Sequence, residues 1–301
     1  MWTADIAIDA ALALQLVDEQ FPQLAATRAE PFGSGWDNAA FLIDDTVVFR
    51  FPRRRVAAAL IAREAAILPL IASHLPLAVP VPTFIGTGDA RYPSVFGGYV
   101  RLDGVTACSA ALTDDERIAS APLLGRFLRR LHAIDVEPLR TCGLEPDTIG
   151  RLDHPKRLAI SRERVATLAG AGFAQLASCV AWLAAHPAAP VPPERRTLVH
   201  GDLYARHILI GAERRPTGVI DWGDLHLGDP AIDLALAHLM LPPDAHAAFR
   251  DAYGPIDDRT WSVARYRAVY HALVELEYGI RTGDGAMRDI GLTALRFLGE
   301  F

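Results

Sequence analysis

Lysine is almost missing from this chain of 301 residues: among 30 basic side chains, Lys156 is the single lysine. Any task that needs a fixed positive charge therefore falls to arginine, whose planar fork is not equivalent to an ammonium point charge. Cysteine is scarce as well. Cys108, Cys142 and Cys179 are odd in number and lack metal-ligand spacing, which argues against a disulfide framework and against a zinc site. No apolar run reaches the ~20 residues that cross a bilayer, and the first residues carry Asp5 and Asp9 in place of a basic leader. A cytoplasmic protein without a membrane partner is expected. No GxxxxGK[ST] occurs, so the chain has no Walker-type phosphate loop. Nor is there an excess of positive charge. A net charge of −6 and a pI near 5.9 argue against nucleic acid as partner and suit a cationic small molecule or simple solubility. What remains is 51% hydrophobic and 22% charged, enough to bury a large core, most simply in two lobes.

The chemistry concentrates in LVHGDLYARHILI, Leu198 to Ile210, and GVIDWGDLHLGDPAIDLA, Gly218 to Ala235. Apolar residues flank an irregular polar loop in the first stretch, which reads as strand, loop, strand. Asp202 and Asp221 fall at the ends of these short buried strands. A carboxylate there is costly unless it is paired, bound to a metal or used in chemistry.

Upstream, residues 6 to 21 carry apolar positions at helical spacing up to Pro22, an amphipathic helix. PFGSGWDNAAFLIDDTVVFRFPR then reads as a hairpin and a further strand, with Gly33, Ser34 and Gly35 at a glycine-rich tip. Such a tip lets backbone N–H groups approach a phosphate, or is an ordinary turn. In the strand from Val47, alternation places Phe49 and Phe51 on one face and Arg50 on the other. Glu64 lies inside the apolar stripe of the next helix, between Leu60 and Leu68, where a carboxylate needs a cation. Arg50 could supply it, or both could be surface residues.

HGDLYARH followed by IDWGD and GDPxxD resembles the catalytic and metal-binding loops of the aminoglycoside phosphotransferases. Most relatives read H-G-D-x-x-x-x-N; His207 stands at the last position here, as in the aminoglycoside 2″-phosphotransferases and macrolide phosphotransferases. The first lobe, over most of residues 10 to 105, resembles the former. The resemblance implies an α+β, protein-kinase-like fold with a small antiparallel-sheet lobe, residues 1–103, and a larger helical lobe, residues 104–301. It implies transfer of the terminal phosphoryl group of ATP or GTP to a small-molecule hydroxyl, with Mg2+ as cofactor. Asp202 is then the general base; His207 and Asp221 hold the metal, or His207 donates to phosphate. Arg50 takes the place of the family's phosphate-gripping lysine, oriented by Glu64. Arg101, Leu102 and Asp103 form the hinge that reads the purine, with Tyr99 behind it. An aminoglycoside is the favoured acceptor. A macrolide, a choline- or homoserine-like alcohol, or a nucleotide-binding relative without transfer activity are the alternatives.

In the second half a helix over Asp114 to His132 follows Thr113 as cap. A helix from about Arg157 to His186 is broken near Gly170 to Gly172, and three helices follow Pro242. His200 reads as architectural, Asp233 as a tie between helix and loop, and Asp229 as a helix-start residue. Asp224 could face the substrate or a turn. Glu277, on an apolar stripe, could meet a substrate ammonium or an arginine of the fold; Trp261, Glu275 and Tyr278 are similar candidates. A monomer or weak dimer is expected.

Overall fold

The computed structural model describes residues 5–34 and 37–299. The expectation for Gly35 therefore falls outside the described residues.

Helix α1 (Ala10–Gln20) begins where the side chain of Asp9 accepts from the backbone N–H of Leu12, which places the start after Ile6 rather than at it. Leu16, Val17 and Ile6 nevertheless reach one core with Phe49, Phe51 and Phe96. That core lies under an antiparallel sheet of β1 (Ala29–Ser34), β2 (Asn38–Ile43), β3 (Val47–Pro52), β4 (Phe84–Gly86) and β5 (Phe96–Val100), in the order β1-β2-β3-β5-β4. The β2–β3 turn carries Asp44 and Asp45 at positive φ, and Thr46 N–H donates to the Ile43 carbonyl at 3.0 Å. Such primed turns match the twist of a tight hairpin. Gly98 on β5 admits the Phe49 ring, since a Cβ there would lie 2.6 Å from it.

Helix α2 (Arg55–Ile71) crosses this sheet, and Pro69 falls two residues before its end. Residues 57–74 have the length and mean hydropathy of a bilayer span by composition alone. In the fold, however, Ile61, Ile67 and Leu68 are buried and Glu64 sits at the helix centre. After α2 the chain touches the second lobe: Ala78 exchanges backbone hydrogen bonds with Thr217 (3.0 Å) and Val219 (2.9 Å).

The second lobe runs β6 (Val105–Thr106), α3 (Asp114–His132), α4 (Glu137–Arg140), α5 (His154–Gly170), α6 (Ala177–Ala185), β7 (Thr197–Val199), β8 (Ile208–Ile210), β9 (Pro216–Val219), β10 (His226–Gly228), α7 (Ala231–Met240), α8 (His246–Tyr253), α9 (Asp258–Thr282) and α10 (Gly285–Leu298). Thr113 and Glu116 form a reciprocal capping box at α3. The expected helix break between α5 and α6 is present, and α5 starts three residues early because Asp153 caps it by accepting from Lys156 N–H. Every residue of α7 is buried. It is the rod on which the polar loops between β7 and β10 are mounted.

Candidate active site

Asp233 on α7 fixes the loop after β7. Its two carboxylate oxygens accept from the backbone N–H groups of His200 (2.7 Å) and Gly201 (2.9 Å), and His132 Nε2 lies 3.3 Å away. The tie expected from the sequence is thus real, but its third member, His132, carried no sequence signal. His200 accepts from Asp202 N–H at Nδ1 (3.3 Å), so its Nε2–H donates to the Ile220 carbonyl (3.0 Å). Burial drags its pKa down to about 4, and a neutral ring spanning two loops is architectural. Gly201 has φ +88°, and a Cβ there would lie 2.3 Å from the Asp224 carbonyl. Only glycine lets the two polar loops pass this closely.

The loops bring Asp202, His207 and Asp221 together. His207 Nδ1–H donates to the Asp202 carbonyl (2.7 Å) and lies 3.9 Å from its carboxylate, while Nε2 is 3.3 Å from Asp221 Oδ2. Enclosure in the cleft raises Asp202 to about 6, against the pull of His207. Burial opposes the charge of His207, but the hydrogen bond and charge of Asp221, with Asp202, raise it to about 9. Asp221 moves the other way. Enclosure works against its charge, yet His207 and Arg50 hold its carboxyl well below the ordinary range. Two neighbouring carboxylates are thus driven apart, one a base near neutrality and one a fixed anion. Asp221 also occupies the left-handed region, φ 64° and ψ 66°, which Asp and Asn tolerate better than other side chains.

On the other side of the cleft, Arg50 Nη1 meets Glu64 Oε2 at 2.6 Å and Nη2 meets Asp221 Oδ1 at 3.4 Å. The strand alternation and helix stripe that pointed to this pair are both realised. Arg63 Nη2, one residue before Glu64, donates to the Gly223 carbonyl at 2.8 Å, so α2 also grips the second polar loop directly. Glu64 Oε1 is enclosed without a hydrogen-bond partner. It borders a cavity of about 10 Å³ lined by Arg50, Ile61, Pro82, Gly97 and Tyr99, space for roughly one water. Tyr99 thus lies beside the Arg50–Glu64 pair.

Magnesium takes hard oxygen ligands ~2.1 Å away, so two adjacent ligand atoms stand ~3 Å apart. The 3.3 Å between His207 Nε2 and Asp221 Oδ2 fits that spacing. Asp221 is the ready ligand. His207 can join it only after losing the proton that Asp221 stabilises, and otherwise serves as a donor to phosphate. No group of three or more His, Cys, Asp or Glu side chains suited to a metal occurs among the described residues, so most ligands would come from phosphate and water.

Other expected residues lie outside this cluster. Gly33 and Ser34 are the last residues of β1, paired with Ala40 and Ala39 after a bulge. Arg101 donates its N–H to the Thr46 carbonyl (2.8 Å) and lays its guanidinium over Phe32, and the Asp103 carbonyl accepts from Thr217 (2.9 Å). Asp224 is not a free carboxylate: Arg151 Nη2 holds it at 2.5 Å, while Nη1 bonds Asp147 and Nε the Gly201 carbonyl. Glu277 is not free either, being ion-paired with Arg164 and, at 3.6 Å, with Arg281. Arg151 lies 73 residues from Asp224 and Arg164 113 from Glu277, beyond local spacing, whereas Arg281 is the i+4 neighbour of Glu277.

The family model described as "Phosphotransferase enzyme family" matches residues 28–267. The chain belongs to this family. Among solved structures, this phosphotransferase is similar to the GDP and kanamycin complex of APH(2″)-IIIa, at 23% identity and TM-score 0.70, covering 94% of this chain and 96% of that one. It is also similar to the apoenzyme of macrolide 2′-phosphotransferase MphH from Brachybacterium faecium, at 25% identity and TM-score 0.59, covering 94% and 97%. These likenesses establish the two-lobed kinase-like fold. A curated relative, the uncharacterized protein YcbJ of Bacillus subtilis (strain 168), is 34% identical over 70 residues, and the match spans only 23% of that protein's length.

Proposed function

We propose that this phosphotransferase moves the terminal phosphoryl group of ATP or GTP to a hydroxyl of a small molecule. The observation that carries this reading is the convergence of Asp202 and Asp221 on His207 at 3.9 and 3.3 Å, across the cleft from the Arg50–Glu64 pair. In the reaction the acceptor oxygen forms a bond to the terminal phosphorus as the bridging P–O bond breaks, and the nucleoside diphosphate leaves. Asp202 takes the hydroxyl proton; its pKa near 6 leaves it mostly ionised at neutral pH and basic enough for the task. Magnesium, when bound, neutralises charge on the phosphates, and Asp221 with His207 would hold it. Arg50 orients the nucleotide's phosphates, and Glu64 orients Arg50. The transition state is loose, so positioning and charge supply most of the acceleration.

A purine nucleotide donor is supported by the GDP and ATP complexes among similar structures. An aminoglycoside acceptor is supported by the sequence resemblance and by the kanamycin named with one of them. The test is product formation from ATP and from GTP with kanamycin, a macrolide, choline and homoserine. Phosphorylated product with any of them supports the reaction; nucleotide binding without transfer to any would overturn it in favour of a binding module.

A further inference from the structure

The backbone on either side of the general base is held group by group. The N–H groups of His200 and Gly201 donate to Asp233, Asp202 N–H donates to His200 Nδ1 at 3.3 Å, and the Asp202 carbonyl accepts from His207 at 2.7 Å. One partner comes from outside both polar loops: the Gly201 carbonyl accepts from Arg151 Nε at 2.9 Å. The peptide between Gly201 and Asp202 is therefore fixed at both ends, its oxygen by Arg151 and its N–H by His200. Glycine at φ +88° leaves the orientation of that plane open to local sterics, so the partners set it. The plane in turn sets the direction in which the Asp202 side chain leaves the chain.

Arg151 lies in the turn before α5 and is 5% exposed. Asp147 organises this turn. Its carboxylate accepts from the backbone N–H groups of Ile149 (3.1 Å) and Arg151 (2.5 Å) and from Arg151 Nη1 (2.7 Å). The segment is fastened beside the second polar loop, because Leu227 N–H donates to the Glu145 carbonyl at 2.8 Å. Arg151 Nη2 holds Asp224, three residues after Asp221, at 2.5 Å. The three nitrogens of one planar fork thus have three different partners, one on each polar loop and one in the turn, a task an ammonium point charge could not perform. They meet where the loops cross, since a Cβ on Gly201 would lie 2.3 Å from the Asp224 carbonyl. Asp147 and Asp224 already answer the charge of Arg151, so no ligand is needed to complete it.

We infer that Arg151 is a positioning residue for phosphoryl transfer: it holds Asp202 in register with Asp221 by tying the two loops together at Gly201 and Asp224, and Asp224 serves as its anchor rather than as a contact for the acceptor. This rests on the phosphotransferase reading, which makes Asp202 the base, and adds to it a residue from outside both loops.

The experiment measures kcat and KM with ATP and GTP for whichever of kanamycin, a macrolide, choline and homoserine gives product in wild type, and metal-free ADP and GDP binding by calorimetry. Arg151→Met should lower kcat by ~100-fold, the loss expected when a catalytic group is displaced by about 1 Å. Its nucleotide affinity should stay within about twofold of wild type, which also reports correct folding. Placed in an Asp202→Asn background, the same substitution should cost less than about threefold, because the position of the base no longer matters once the base is gone; a further ~100-fold loss would overturn the inference and leave Arg151 a residue of the fold alone. Asp224→Ala cuts only the tie between the loops and leaves Arg151 on Asp147, so it tests the inference even if Arg151→Met does not fold. It should lower kcat by ~10-fold and keep the acceptor KM within about twofold. A raised acceptor KM with unchanged kcat would overturn the inference by giving Asp224 to the acceptor. A crystal structure of Arg151→Met should show the Gly201–Asp202 peptide turned from its present plane, and an unmoved peptide would also overturn it. Nucleotide binding by wild type with no product from any acceptor would instead remove the phosphotransferase reading, and the inference with it.

Discussion

Arg50 on β3 and Arg267 on α9 are guanidiniums of different lobes, and their surroundings differ. Arg50 stands between Glu64 at 2.6 Å and Asp221 at 3.4 Å; Arg267 lies over the Tyr270 ring, attracted by Asp202 and repelled by Arg151 and Arg157. The first is a finished ion pair that needs no ligand to be satisfied, so its role is to hold a shape against which a nucleotide can bind. The second is buried in the helical lobe against an aromatic ring. A chain that uses arginine nearly everywhere sets each guanidinium's role by what accompanies it rather than by residue type.

The largest effect is expected at Asp202, across the cleft from Arg50. Asp202→Asn should lower turnover by ~10³-fold while leaving nucleotide affinity unchanged, because Arg50 keeps both of its carboxylates. Retained turnover would take Asp202 out of the proton transfer. Glu64→Gln attacks the Arg50 pair alone. Arg50 would keep only Asp221, whose side chain is half exposed, and nucleotide affinity should fall ~30-fold, about 2 kcal/mol, in calorimetric titration; unchanged affinity would mean that Glu64 does not orient Arg50.

Asp233→Asn tests the support of the catalytic loop. The amide would set an N–H against the backbone donors of His200 or Gly201, costing ~1.5 kcal/mol and lowering Tm by ~3–5 °C. Burial opposes the charge of Asp233, but the hydrogen bond and charge of His132 hold its pKa below the ordinary value. A depressed pKa gives stability that is complete above the unfolded value of ~4 and lost as pH falls through the lower folded value. The Tm gap between wild type and variant should therefore be constant from about pH 5 to 8 and close in stronger acid. A gap that widens on acidification would reverse the assignment. The smallest effect is expected for Arg50→Lys: nucleotide affinity equal to wild type or raised by no more than about threefold. A collapse would show that the fork to Glu64 and Asp221 is structurally required.

Much of this site was legible because its signals are local. Thr113 announced a helix cap, and the apolar brackets around His200 to His207 a strand, loop and strand, both of which the fold contains. Arg50 and Glu64 could be paired because strand and helix periods each fix a facing direction. Two readings stayed open because of long separation in sequence. Arg151 reaches Asp224 across 73 residues and Arg164 reaches Glu277 across 113, and no spacing rule connects such positions.

The solitary Lys156 spends its ammonium on the Ile149 carbonyl, at 3.0 Å, beside the start of α5. Nucleotide analogues armed with an electrophile to acylate an amine next to bound phosphate would find only Arg50 there, and so would leave this enzyme unmarked in a survey that relies on them. The same scarcity makes Lys156 the one side-chain amine at which a dye or tether can be attached, outside the catalytic cleft, without sorting through mixed products.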